Sequence, residues 1–197
     1  MTLTLLDWRR TVADLYAAVR AGADRDPEGS LAAFRAGRER LIREHPDSPI
    51  PPDGRSAFGG LVHWPDDPAL RFEVPVEPAD PARLMAMSLD GDPYALDRIG
   101  RIRLPFGQLD VYWIAVYGGG VFLPFRDATS GHESYGAGRY LLDTIKGADL
   151  GGTGDRLVVD FNYAYNPSCA YDARWSCPLA PPANWLTVPI RAGERWR

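Results

Sequence analysis

The hydrophobic period of this chain changes once, and the change divides it. Up to His45 the apolar residues recur at helical spacing. Beyond the proline-rich stretch His45-Pro-Asp-Ser-Pro-Ile-Pro-Pro52 they come in short runs broken by Gly, Pro and Asp. Leu5, Trp8, Val12, Leu15, Tyr16 and Val19 predict one amphipathic helix over residues 4–21, with Gly22 as its stop. Leu31, Phe34, Leu41 and Ile42 predict a second, starting near Ser30 as N-cap. It must end before Pro46, since a proline pushes the preceding residue out of the α region.

The remainder reads as strands: Leu70–Val76, Leu84–Leu89, Ile99–Phe106, Leu109–Tyr117, Val121–Phe125, Arg139–Ile145, Arg156–Tyr165 and Leu186–Ile190. Closely spaced strands with no helix-length segment between them predict antiparallel pairing. The expected class is mainly β (α+β), an antiparallel β-barrel or curved β-sandwich fronted by two N-terminal α-helices. Gly118–Gly120 and the 147–154 segment are the natural hairpin connections.

Composition narrows the partners. A net charge of -4 and no extended run of positive charge make nucleic acid an unexpected partner. The one basic cluster, Arg191, Arg195 and Arg197, reads as a solvated end. Of the 22 basic residues 21 are Arg, a bias expected of a high-GC bacterial genome. No run of about 18 apolar residues predicts a membrane span. The first charges follow the short N-terminal apolar run rather than precede it, so export is disfavoured and a cytoplasmic, soluble protein is expected. Oligomeric state stays open.

The second half carries unusual motifs: Leu123-Pro-Phe-Arg-Asp-Ala-Thr-Ser-Gly131, Tyr135-Gly-Ala-Gly-Arg-Tyr140, Asp160-Phe-Asn-Tyr-Ala-Tyr-Asn-Pro-Ser-Cys169, Cys177-Pro-Leu-Ala-Pro-Pro-Ala-Asn184 and Ile190-Arg-Ala-Gly-Glu194. With His45-Pro-Asp-Ser-Pro49 they resemble the bacterial family known as domain of unknown function 1684, over nearly the whole chain. The resemblance implies one continuous domain over 1–197, with residues 1–45 a helical lead-in and 54–197 a β-rich body. It marks these motifs as hallmarks and implies no reaction.

The familiar catalytic patterns are missing. Ser134 in His132-Glu-Ser-Tyr-Gly136 lacks the first glycine of a nucleophile elbow, and a His132–Ser134 pair reads as surface coincidence. His45, His63 and His132 are too scattered to predict a metal site, and neither metal nor cofactor is expected. Gly151–Gly154 reads as a turn, since no helix follows it to grip phosphate. Cys169 and Cys177 are expected to be structural thiols, with Arg174 the only basic residue near them in sequence.

The most informative pattern is an alternation. Over 157–166 the odd positions are apolar, while Asp160, Asn162 and Asn166 share the other strand face. Pairing of 139–145 with this strand would set Arg139 diagonal to Asp160. Asn has poor β-propensity, so this face is expected to hold fixed hydrogen-bonding roles. The favoured function is recognition of a small polar or anionic molecule by Arg126, Tyr135, Arg139, Asp160, Asn162 and Asn166. An Arg would hold the anionic group. Two rivals stand beside it. One is a cofactor-independent enzyme with Asp160 or Asp127 as general base. The other is an interaction surface on the Trp- and Pro-rich loops from Trp175 to Trp185.

Overall fold

The structure, a computed structural model, describes residues 3–196; Arg197 of the basic cluster lies outside them. Helix α1 runs Leu3–Gly22 and α2 runs Pro27–Glu44. The start of α2 corrects the Ser30 expectation. Asp26 is the N-cap, its carboxylate taking the Gly29 amide at 2.9 Å, and Pro27 follows as the first helical residue. A proline there loses no hydrogen bond and is already set at the helical φ, so this pair outcompetes Ser30. His45 leaves the helix in extended conformation, as the following proline demands.

The body is built from two antiparallel sheets. Strands β1 (Arg71–Pro75), β7 (Gly152–Thr153) and β8 (Arg156–Asp160) form one, in the order β1-β8-β7. The other holds β2 (Ala82–Met87), β3 (Pro93–Leu104), β4 (Gly107–Ile114), β5 (Gly120–Phe125) and β6 (Arg139–Asp143), in sequence order. The second sheet stays open, so the arrangement is sandwich-like and not a closed barrel. Pro124 is tolerated inside β5 because the register shifts between Leu123 and Pro124, and a bulge removes the need for its missing N–H.

Three strand expectations need correction. Residues 186–190 form no strand; the chain runs beside Arg126–Ala128 just past β5, with a parallel bridge at Trp185 and backbone hydrogen bonds from Leu186 to Arg126 and from Ala128 to Val188. The strand from 156 stops at Asp160, whose carboxylate takes the Asn162 amide and turns 161–163 into one 3-10 turn. β6 pairs with β5, and β8 with β1 and β7, so the 147–154 segment does not join two paired neighbours. The glycine turn at Gly154, with φ +60, makes the tight β7–β8 hairpin instead.

Phe161 fixes how the sheets meet. It is fully buried and packs edge-on against Phe72 of β1, Phe106 at the β3–β4 turn and Phe125 of β5, at 6.3, 5.7 and 5.1 Å. Each such pair contributes about 0.5–1.5 kcal/mol beyond its burial. Tyr16, Phe34 and Tyr163 continue the chain of rings from α1 through α2 into the body, each pair 5.0 Å apart. The helices and both sheets thereby share one apolar cluster.

Candidate functional site

Arg139 stands at the centre of the polar architecture and not in a cleft. Its side chain is fully buried between the rings of Trp64 and Phe125, 4.9 and 4.8 Å away. Its guanidinium donates to the carbonyls of Ile190 (2.8 Å), Ala192 and Glu194 (3.2 Å), and to Asp127 Oδ1 (3.4 Å). Burial pushes its pKa down to about 10, against the opposing pull of Asp127. Asp127 is equally committed: it takes the Ile190 amide at 2.7 Å and the Thr129 hydroxyl, which also meets buried Ser134 at 2.8 Å. Together these groups draw Ile190 and Ala192–Glu194 into the molecule, while Arg191 and Arg195 stay exposed as the solvated reading of the basic cluster expects. Gly193 permits the approach: it sits at φ +74, and a Cβ there would meet the Ala164 carbonyl oxygen at 2.5 Å.

The segment 139–145 does meet residues 157–166, but only at one antiparallel bridge, Tyr140 with Tyr165, and not in the register expected; Asp160 is paired across β8 with Arg71 of β1, so Arg139 is not diagonal to it. Nor is the alternation from 157 to 166 a single polar face, because the chain leaves the sheet at Asp160. Asn162 instead clamps Asp67, taking its amide at 3.0 Å and donating to its carbonyl at 2.9 Å. Asn166 sits beside the buried Glu194–Arg38 pair, its amide donating to Glu194 Oε2 at 2.8 Å. Arg126 stacks on Trp185 at 4.5 Å, and Tyr135 stacks on Trp196 and donates to the Cys169 carbonyl at 3.2 Å. Trp175 donates to the Pro49 carbonyl and Trp185 to that of Ala180. His132 is exposed while Ser134 is buried, which separates that pair. Among the described residues no three His, Cys, Asp or Glu side chains gather as a metal site.

Asp160 alone of the six favoured binding residues opens into a cleft with unspent charge. The cleft, about 290 Å³, lies between the C-terminal half of α1 and the three-stranded sheet. Val19, Leu150 and Val158 give it apolar walls, and Arg20, Arg71 and Asp160 contribute charge. Arg71 lies directly across the β1–β8 ladder from Asp160, with Nε 3.9 Å from Oδ2. Its Nη2 also reaches Asp24 at 3.0 Å. Asp160 Oδ1 takes both Asn162 donors at 2.9 Å, whereas no hydrogen bond to Oδ2 is found among the described residues. Burial raises the Asp160 pKa, and the Asn162 hydrogen bonds and Arg71 only partly offset it. The Gly151–Thr153 turn forms one rim of the same cleft.

Asn166 lines two other cavities. One, about 310 Å³, is walled mainly by apolar residues including Ile50, Phe58, Leu61 and Trp196. The other, about 50 Å³, lies between the helices and the body beside Arg38 and Lys146. In the small cavity Arg38 is already neutralised by Glu194, while the larger one takes its charge from Arg195, which stacks over Trp64. Arg71 escapes notice in the sequence because its partner strand is 85 or more residues away and no motif marks it. The period-2 grouping of Arg71 with Glu73 was the only available signal.

The fold and its cleft define a small α+β sandwich with a helical pair closing one side. The chain belongs to the family described as "Protein of unknown function (DUF1684)", whose model matches residues 56–195. Among solved structures it is similar to the uncharacterized protein from gene locus rrnAC0354 of Haloarcula marismortui, determined by solution NMR. Identity is 35%, the TM-score is 0.60, and the match covers 88% of this chain and 96% of that one. No curated protein matches the chain. Among the described residues no helix is long and apolar enough to cross a membrane.

Proposed function

We propose that the protein recognises a small polar molecule in the cleft between α1 and the three-stranded sheet, with Asp160 and Arg71 as its poles. The observation that carries this reading is the Asp160 carboxylate on the cleft wall: Oδ1 is held by Asn162, while Oδ2 takes no hydrogen bond among the described residues and lies 3.9 Å from the Arg71 guanidinium. A ligand hydroxyl or ammonium donates to Oδ2, and an anionic group of the same molecule meets the Arg71 guanidinium. Asn162 orients the carboxylate by holding Oδ1 and does not itself meet the ligand.

A second reading rests on the raised pKa of Asp160. A carboxylate made more basic by burial is what a general base requires, and Arg71 beside it can offset developing negative charge. Binding leads because the pair is partly exposed at the cleft mouth, where Arg71 side-chain exposure reaches 36%. The protein acts as one unit, with the helices forming a wall of the site, and its two free thiols fit a reducing, cytoplasmic compartment.

The test is a thermal-shift screen of small hydroxy acids, amino acids and phosphate esters against the wild type and Arg71→Ala. The reading expects at least one compound class that stabilises the wild type and not Arg71→Ala. Compounds that stabilise both proteins equally, or none that stabilise the wild type, overturn it.

A further inference from the structure

The larger cavity beside Asn166, about 310 Å³, forms where the 50–62 connector, the 166–171 loop and the 195–196 segment meet. Ile50, Phe58, Leu61, Val62 and Trp196 give it apolar walls, and no Asp or Glu lines it. Hydrogen bonds hold these walls in place. Arg43 Nη1 donates to the Phe58 carbonyl at 3.0 Å, and the Leu61 amide to Glu39 Oε2 at 3.3 Å. The Arg195 amide donates to the Val62 carbonyl at 2.9 Å, and the Arg195 carbonyl takes Asn166 Nδ2 at 3.5 Å. Two polar groups interrupt the apolar lining. The Arg195 guanidinium lies over the Trp64 ring, 5.8 Å from its centroid, and makes no ion pair or hydrogen bond among the described residues. Glu133, whose carboxylate feels that charge, is already held by Arg191 through bonds of 3.0 and 2.7 Å. Asn166 is 4% exposed, and its Oδ1 is buried with no hydrogen-bond partner among the described residues.

We propose that this cavity binds a small aromatic carboxylate with a hydrogen-bond donor on its ring, at a site separate from the Asp160 cleft. The carboxylate pairs with the Arg195 guanidinium, whose planar fork matches it through two hydrogen bonds. The ring lies against Phe58 and Trp196 and removes their apolar surface from water. Its donor meets Asn166 Oδ1, an acceptor otherwise desolvated without compensation. The volume stands at the lower end of the range for small-molecule sites, roughly 300–1,000 Å³, which limits the occupant to one ring system with short substituents. An amino acid fits poorly, because its ammonium would find no carboxylate on these walls. That separates this ligand class from the polar molecules proposed for Asp160 and Arg71, where a carboxylate is available.

Titration of the isotopically labelled full chain with indole-3-acetate, followed through its amide shifts, provides the test. The proposal expects saturable shifts centred on Leu61, Val62, Ala170 and Trp196, retained in Arg71→Ala. Arg195→Gln should weaken binding by about tenfold or more, as loss of a charge-assisted pair implies. Two analogues probe the wild type directly: 1-methylindole-3-acetate lacks the ring N–H, and indole-3-acetamide lacks the charge. Each should bind about fivefold or more weakly than indole-3-acetate. Absence of saturable shifts in the wild type overturns the proposal, as do shifts that vanish in Arg71→Ala. Equal affinity of Arg195→Gln, or of either analogue, overturns it too. The analogue comparison needs no variant, so it decides the matter even if Arg195→Gln fails to fold.

Discussion

Arg71 and Asp160 are direct partners across the β1–β8 ladder, yet their charged groups stop 3.9 Å apart without a hydrogen bond. Asp160 spends one oxygen on Asn162, and Arg71 spends one nitrogen on Asp24. The space between them belongs to the cleft. On the proposed reading, a ligand's polar group would enter this gap.

Asp160→Asn should stabilise the protein at neutral pH. An acid whose pKa is higher in the folded chain than in the unfolded one contributes stability that is complete below the ordinary aspartate range. That contribution is lost as pH rises through the raised value. Asparagine keeps an acceptor for Asn162 and carries no charge to desolvate. Denaturant melts at about pH 7 should favour the variant, and the advantage should fade by about pH 4. Lower stability of the variant at neutral pH contradicts the assignment.

Arg139→Leu should cost about 3–5 kcal/mol, because it strands buried Asp127 and frees three carbonyls of the 190–194 segment. Lysine should not rescue it, since a point charge cannot serve partners spread around a planar guanidinium. Thermal melts measure the loss; a change below about 1 kcal/mol, the range of an exposed pair, would show that Arg139 is not the anchor of the C-terminal segment.

Asn184→Ala should be comparably damaging. The fully buried Asn184 takes the Asp110 amide at 3.0 Å and donates to the carbonyls of Asp110 and Pro124, at 2.9 and 2.8 Å. Each stranded group costs about 1–3 kcal/mol, so a loss near 3 kcal/mol is expected in a urea titration. A neutral substitution would mean that water replaces the amide.

Gly193→Ala tests the approach of the C-terminal segment to the 161–164 turn. Its left-handed φ and the carbonyl oxygens that would crowd a Cβ both oppose alanine. The expected loss exceeds about 1 kcal/mol and should lower the melting temperature without altering any cleft-bound compound.

The helices, the connector and six of the eight strands were legible because each is written in a local period or a proline. The motifs were legible too, but their work was not. Asp127, Arg139, Asn184 and Glu194 are hydrogen-bonding anchors whose partners lie far away in sequence, and no local pattern reveals such pairings. The strand through Asp160 misled because its alternation continues past the residue where the aspartate bonds to the amide of Asn162 and ends the strand. A side chain competing with the ladder for the backbone leaves the period intact while changing the structure. Asp160 was found as a candidate through that alternation, and its partner Arg71 was not, because strand pairing sets it.

The central claim is that a small polar molecule binds at Asp160 and Arg71. An NMR titration of isotopically labelled protein, using pooled small hydroxy acids, amino acids and phosphate esters, tests it most directly. The predicted result is a set of amide shifts centred on Arg71, Gly152, Thr153 and Asp160, lost in Arg71→Ala while that variant keeps its folded spectrum. Shifts that centre instead on Asn166, Tyr171 and Trp196, or that persist unchanged in Arg71→Ala, would contradict it.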